Sequence, residues 1–217
     1  MRRLVVGTFL TLDGVMQAPG GPEEDREGGF ERGGWSVNYW DELMGKTIVE
    51  WTVRAGALLL GRKTYQIFAA HWPKVSDDDP VARTLNSVPK YVASRTLKEV
   101  AWRNSTLLQG DVAEAVARLK RSEGEEIQVH GSGDLIQTLL GHDLVDELRL
   151  WFFPVSLGHG KRLFAGGTLP RTFTLTDTKT STTGVAIHTY QAAGGIRYGS
   201  FAVDEHGRAD ALWRDTP

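Results

Sequence analysis

Hydrophobic and polar positions follow two rhythms along this chain, and each change of rhythm marks an element. Arg3 to Leu12 is rich in Val, Thr, Phe and Leu, while Ala57 to Leu60, Lys90 to Ser94 and Ile127 to His130 are short, largely apolar runs. Runs of that kind predict strands buried in a sheet. Between them Trp40, Leu43, Met44, Thr47, Ile48 and Trp51 recur at helical spacing, as do Val112, Ala115, Val116 and Leu119. The latter segment starts at Asp111 with Glu114 at capping-box spacing. Leu135 to Leu140 reads as a further helix, stopped by Gly141. The rhythm then changes. Glu147 to Val155, Thr172 to Lys179 and Val185 to Gln191 read as longer strands, the last two joined through "TSTTG" as a hairpin, and Ile196 to Val203 is expected to add an edge strand. Repeated β-α-β crossovers with an antiparallel finish predict an α/β fold: a mixed, mostly parallel sheet with helices on both faces. No internal repeat and no linker divides the chain.

Composition narrows the function. A length of 217 residues with 41% hydrophobic content suits one core rather than two. The formal charge of −2 and pI near 6.3 provide no general cationic field, which argues against a nucleic-acid reader and requires any anion site to be local. Without cysteine, disulfides, thiol nucleophiles and thiolate metal sites are excluded. That suits a reducing cytoplasm. The opening "MRRLVVGTFLTLDGV" imitates a signal peptide, yet its apolar stretch is β-branched, broken by Gly7 and Thr8 and followed by Asp13, so it reads as a first strand. No run approaches the ~18 apolar residues a membrane helix needs. The histidines lack metal-ligand spacing, "SDDDP" reads as a charged turn, and no metal is expected.

Candidate chemistry gathers at strand ends. In "ALLLGRKTYQIF", Gly61 to Thr64 lies between a strand and a helix, where unpaired N–H groups and a partial positive charge collect anions. Gly61 permits close approach, Arg62 and Lys63 add charge, and Thr64 adds a hydroxyl. Cations at a helix start oppose the macrodipole at a cost of roughly 0.3–1 kcal/mol each. That favours a ligand role over plain solvation. Ser94-Arg95-Thr96 ends another strand, and Gly131-Ser132-Gly133 ends a third. A Gly-x-Gly turn alone is not specific, because a third glycine at dinucleotide spacing is missing. "GHGKRLF" is no P-loop, since Val155 stands where the first glycine belongs.

Taken together, "LTLDG", "LLLGRKTYQIF", "PKYVASRT", "VHGSGDLIQTLL", "LVDELRLWFFPVSLGHGKRLF" and the closing hairpin resemble the dihydrofolate reductase-like superfamily. They are most similar to bacterial proteins related to the reductase domain of the riboflavin-pathway deaminase/reductase. The resemblance covers about residues 1–192, which implies a domain of that span with an extension at 193–217, one antiparallel strand in the sheet and NADPH lying across the strand ends. It implies that Arg62, Lys63 and Thr64 grip the pyrophosphate and 2′-phosphate, with Ser94, Arg95 and Thr96 around the adenosine. Gly131, Ser132, Gly133 and Asp134 then take the pyrophosphate turn. Where dihydrofolate reductases have consecutive glycines, this chain has His130-Gly131.

On the substrate side, Glu42 and Glu50 fall on a charged, solvated helix face with Lys46 and Arg54. Asp41 sits at the edge of the apolar stripe, either facing a cleft as a proton source or stabilising a first turn behind Asn38 as N-cap. Asp13, near the nicotinamide by resemblance, is either catalytic or turn-forming. Trp35 and Phe30 are candidate substrate-binding aromatics, Phe30 because no core partner is evident. The Gly/Pro/acidic segment from Ala18 to Trp35 is expected to move over the nicotinamide end, as gating loops do. The resemblance implies an NADPH-dependent reductase of a pteridine-, pyrimidine- or related heterocycle. The alternatives are a ribosylaminopyrimidine-type sugar reductase, for which the 217 residues offer no accompanying deaminase domain, and a dinucleotide-binding module without catalysis. Expected partners are a small-molecule heterocycle and, as a permitted assembly, a homodimer, with neither nucleic acid nor membrane.

Overall fold

The computed structural model describes residues 1–164 and 167–199. Eight strands form one sheet in the order β4-β3-β2-β5-β1-β6-β8-β7. They are β1 (Leu4–Thr11), β2 (Ala55–Gly61), β3 (Lys90–Ala93), β4 (Ser105–Leu107), β5 (Glu126–His130), β6 (Glu147–Phe153), β7 (Phe173–Thr180) and β8 (Ala186–Ala192). The chain runs from β1 out to β4, returns to insert β5 between β2 and β1, and continues outward from β6. Every pairing from β4 to β6 is parallel, and β8 runs antiparallel to both β6 and β7. The mixed, mostly parallel sheet is therefore as expected, with the antiparallel hairpin at β7 and β8.

Period-two alternation sorts the strand side chains. Leu4, Val6, Leu59, Ile127, Val129, Leu148 and Leu150 face one layer with α4 (Val112–Arg121) and α5 (Gly133–Gly141). Leu58, Leu60 and Val92 face the opposite layer with α2 (Arg62–His71) and α3 (Pro80–Ser87), and Trp151 and Phe153 meet Met44 and Trp51 of α1 (Glu42–Thr52) there.

Several elements differ from the sequence reading. The short strand β4 and helix α3 carry too few apolar positions to show a period. "SDDDP" is a turn that also starts α3, with Asp79 accepting from the N–H groups of Val81 and Ala82. Helix α1 is capped by Asp41 rather than Asn38, because Trp40 is extended and separates it from a preceding turn at Val37–Tyr39. Residues 196–199 form no strand, and the rest of the expected edge strand to Val203 lies outside the described residues.

A buried cation fixes the strand that carries Ser94 to Thr96. Lys90 is fully buried, and its ammonium donates to the carbonyls of Asn86 (2.9 Å), Val88 (2.9 Å) and Arg103 (3.1 Å). It also lies 4.3 Å from the centre of the Trp102 ring. Three acceptors for three donors is the satisfaction a buried ammonium requires. Lys90→Met fills similar volume but strands the carbonyls of Val88 and Arg103, while Asn86 keeps its bond from Arg103 Nε, so it should destabilise the fold by about 3 kcal/mol. Urea unfolding checks this: a midpoint close to wild type would mean that the carbonyls are satisfied otherwise.

Candidate active site

The ladder between β2 and β5 ends at Leu58 opposite Gln128, although β2 continues to Gly61 and β5 to His130. Beyond that point side chains hold the strand ends. Ser132 Oγ accepts from the Gly61 N–H (2.9 Å) and donates to the His130 carbonyl (2.8 Å), while Thr64 Oγ1 accepts from the Ser132 N–H (3.0 Å). Gly131 has φ +51°, and a Cβ there would lie 3.0 Å from Thr64 Oγ1, so both conformation and packing favour glycine. Ser132 itself is left-handed, at φ 59°.

Over these ends lies a cleft of about 1680 Å³, larger than a pocket for one drug-sized ligand. All of Gly61, Arg62, Lys63, Thr64, Ser94, Arg95, Thr96, Gly131, Ser132, Gly133 and Asp134 line it. Some of these groups are engaged within the protein: the Ser132 hydroxyl and the Gly61 N–H belong to the stitch just described. Ser94 Oγ accepts from the N–H groups of Thr96 (3.2 Å) and Leu97 (3.0 Å), shaping its turn.

The helix starts divide into two kinds. Helices α1, α3 and α4 begin at Asp41, Asp79 and Asp111, each accepting first-turn N–H groups. Helices α2 and α5 begin at Gly61 and Ser132 with no side-chain cap. Their first-turn N–H groups are left for another acceptor. Among the described residues Arg62 and Arg95 make no ion pair, Arg62 reaching only Gln66 at 3.4 Å. Lys63 does pair, with Asp25 (3.3 Å) and Glu27 (3.6 Å), and Lys161 meets the same two acids. Burial works against the Asp25 charge, yet the Lys161 hydrogen bond and both lysines hold its carboxyl below the usual range. Glu27 is lowered chiefly by its hydrogen bond from Lys161. Burial opposes the Lys161 charge, and the two carboxylates outweigh it, raising the ammonium.

The far end of the cleft is aromatic with a polar floor. Trp151 packs against Phe9 (5.4 Å), Trp51 (5.5 Å) and Trp40 (5.9 Å), and all four line the cleft with Gly7, Thr8, Gln128, His130 and Arg149. Arg149 grips both oxygens of Glu126 (2.8 and 2.9 Å) and Glu147 Oε1 (2.7 Å) beneath them. The sequence reading had passed over this floor. A usable signal was present, since Gln128 and His130 are alternate polar positions in a buried strand.

Four expected site residues stand elsewhere, for neither Asp13, Asp41, Phe30 nor Trp35 lines the cleft. Asp41 caps α1 through Met44 (2.9 Å) and with its other oxygen accepts from the N–H (2.7 Å) and hydroxyl (2.8 Å) of Thr182, binding the β7–β8 turn. Asp13 accepts from the Thr11 hydroxyl (2.6 Å) and the N–H groups of Leu157 (3.1 Å) and Gly158 (2.8 Å), and pairs with Arg162. Those bonds, led by Thr11, hold its carboxyl well below the ordinary range. Phe30 does have core partners, being 1% exposed among Val15, Ala18, Trp35 and Leu157. Trp35 donates its indole N–H to the Gln17 carbonyl (2.8 Å) and packs on Phe153. Phe30 and Trp35 thus pack inward from the segment between Ala18 and Trp35, while its stretch from Ala18 to Asp25 lines the cleft and its acids meet Lys63.

A mixed sheet with a single reversed strand and a cleft over its carboxyl ends is a dihydrofolate reductase-like, reductase-type fold. Residues 2–189 match the RibD C-terminal domain, and the chain belongs to that family. It is 30% identical over 196 residues to the uncharacterized protein YyaP of Bacillus subtilis (strain 168), covering 89% of this chain and 96% of that protein. Among solved structures it is similar to a Thermotoga maritima diaminohydroxyphosphoribosylaminopyrimidine deaminase/5-amino-6-(5-phosphoribosylamino)uracil reductase, at TM-score 0.60 and 13% identity over 88% of this chain and 57% of that one. It is also similar to dihydrofolate reductase of Enterococcus faecalis complexed with NADP(H), at TM-score 0.55 and 15% identity over 88% and 96% of the two chains.

Asp13→Asn should lower stability at neutral pH by about 1–2 kcal/mol, through weakened hydrogen bonds to a charged group. The folded-state value lies below the ordinary 3.8, so the wild-type advantage is full above that pH and fades as pH falls below it. Thermal unfolding of both proteins across the acid range checks this. A gap that does not narrow in acid would show that Asp13 contributes through shape instead of charge.

Proposed function

We propose that the chain is an NADPH-dependent reductase of a small heterocycle of the pyrimidine or pteridine kind. The observation that carries this reading is the pair of uncapped helix starts, α2 and α5, facing one cleft beside Arg62 and Arg95, which have no carboxylate partner among the described residues. Their N–H groups suit a pyrophosphate, and the two guanidinium groups suit the additional 2′-phosphate. The fit extends to size, because the cleft has room for a dinucleotide and a second small molecule. When bound, such a cofactor supplies hydride to a C=N or C=O carbon, and a proton must reach the adjoining nitrogen or oxygen.

The residues of this chain then act by position. Phe9, Trp40, Trp51 and Trp151 form a flat-walled end suited to a planar ring. With Asp13 and Asp41 engaged in structural bonds, cleft water carries the proton in this reading. The solved deaminase/reductase is named for a phosphoribosylaminouracil, which favours a pyrimidine over a folate here. Lys63 is released to a phosphate only by parting from Asp25 and Glu27, so the acidic segment must yield as the cofactor enters.

Replacing Arg62 and Arg95 together by Ala should weaken NADPH far more than NADH, each lost charge-assisted bond being worth roughly 1.5–3 kcal/mol. Calorimetric titration with both dinucleotides measures the difference. Equal losses for the two would remove the 2′-phosphate assignment, and no binding of either by wild type would remove the cofactor.

A further inference from the structure

Gly7 lies in the middle of β1, opposite His130 on β5 and Arg149 on β6. A glycine inside a buried strand forgoes packing and often marks close approach by another molecule. Here a Cβ would meet only one heavy atom within 4 Å, Nδ1 of His130 at 3.9 Å, and the space above Gly7 belongs to the cleft. A bare patch of sheet therefore lies beside one ring nitrogen of His130.

The state of that nitrogen is set from behind. Arg149 donates to both oxygens of Glu126. The Gln128 amide nitrogen donates to Glu126 Oε1 (2.5 Å) and to the Trp51 carbonyl (2.6 Å). Both are pure acceptors, so the amide cannot be turned over, and its oxygen must face His130 Nε2 at 3.1 Å. An oxygen there requires Nε2 to carry the proton. Nδ1 is left as a lone pair with no hydrogen-bond partner among the described residues. Burial, aided by the Arg149 charge, pushes the imidazole down to about 4, so the ring is neutral at physiological pH.

We infer that His130 Nδ1 is a fixed hydrogen-bond acceptor that selects substrates presenting a ring N–H over Gly7, a lactam or similar donor edge, and rejects rings presenting only lone pairs. This rests on the reading of the cleft as a substrate site. It adds His130 as the residue that determines specificity, with Gln128 and Glu126 as positioning residues behind it. A site built to accept a proton discriminates strongly, because a ring without the donor leaves the acceptor unpaired.

Nitrogen NMR of histidine-labelled protein tests the inference without cofactor. At pH 7 the His130 ring should be neutral and protonated at Nε2. Uracil should shift the Nδ1 resonance, whereas its N,N′-dimethyl derivative, the same ring without donors, should not. His130→Phe should bind uracil about tenfold more weakly. Gly7→Ala, whose methyl makes an ordinary contact in the folded protein, should retain the wild-type unfolding midpoint or better and also lose uracil. A proton on Nδ1, no shift with uracil, or equal shifts from the two pyrimidines overturns the inference. Failure of NADPH to bind would instead strike the cofactor assignment, since neither the tautomer nor the uracil titration depends on it.

Discussion

The hydroxyl of Ser132 is the contact on which the arrangement of the cleft depends. Two neighbouring parallel strands stop pairing three residues before β2 ends, and the backbone groups beyond must find other partners or remain unpaired. Ser132 supplies them by taking the Gly61 N–H and giving its own proton to the His130 carbonyl. With Thr64 holding the Ser132 N–H, the strand ends are open enough to admit a ligand and near enough to aim two helix starts at it. The glycine at 131 follows from this closeness. The left-handed backbone and Thr64 both favour it, whatever occupies the cleft.

The charges around the cleft are arranged by depth. Deep under the floor, Arg149 is matched by Glu126 and Glu147, a group of buried ions whose burial cost is met only by near-complete pairing. At the mouth, Lys63 and Lys161 share Asp25 and Glu27 in a more exposed cluster. Such pairs hold weakly and are screened by salt. The inner set fixes geometry, and the outer set can exchange partners.

Much of this was legible in the residues, and the failures share a cause. Strands buried on both sides and the cofactor-side turns announce themselves by composition and by glycine placement, so the sheet and the cleft-lining segments at Gly61, Ser94 and Gly131 were found where expected. The acids were not. Asp13 and Asp41 sit near the right strand and helix along the chain, but which way a carboxylate turns is decided by distant partners, Gly158 for one and Thr182 for the other. Phe30 likewise found Val15 and Leu157, a pairing that needs the loop already folded. His130 was overlooked for a different reason. The glycine turn beside it drew the attention, and although the alternation of Gln128 and His130 marks a polar face, its meaning comes from Gly7 and Arg149 on β1 and β6, the next two strands on one side of its own.

The contrast between capped and uncapped helices bears on the life of the protein beyond any reaction. An N-cap side chain contributes about 1 kcal/mol to a helix, and α2 and α5 forgo it. Whatever anion settles at those ends restores the missing acceptors in the folded state alone, and by mass action it draws the chain away from unfolding. The lifetime of the protein under a protease would then rise and fall with the supply of its ligand, so that abundance would follow occupancy.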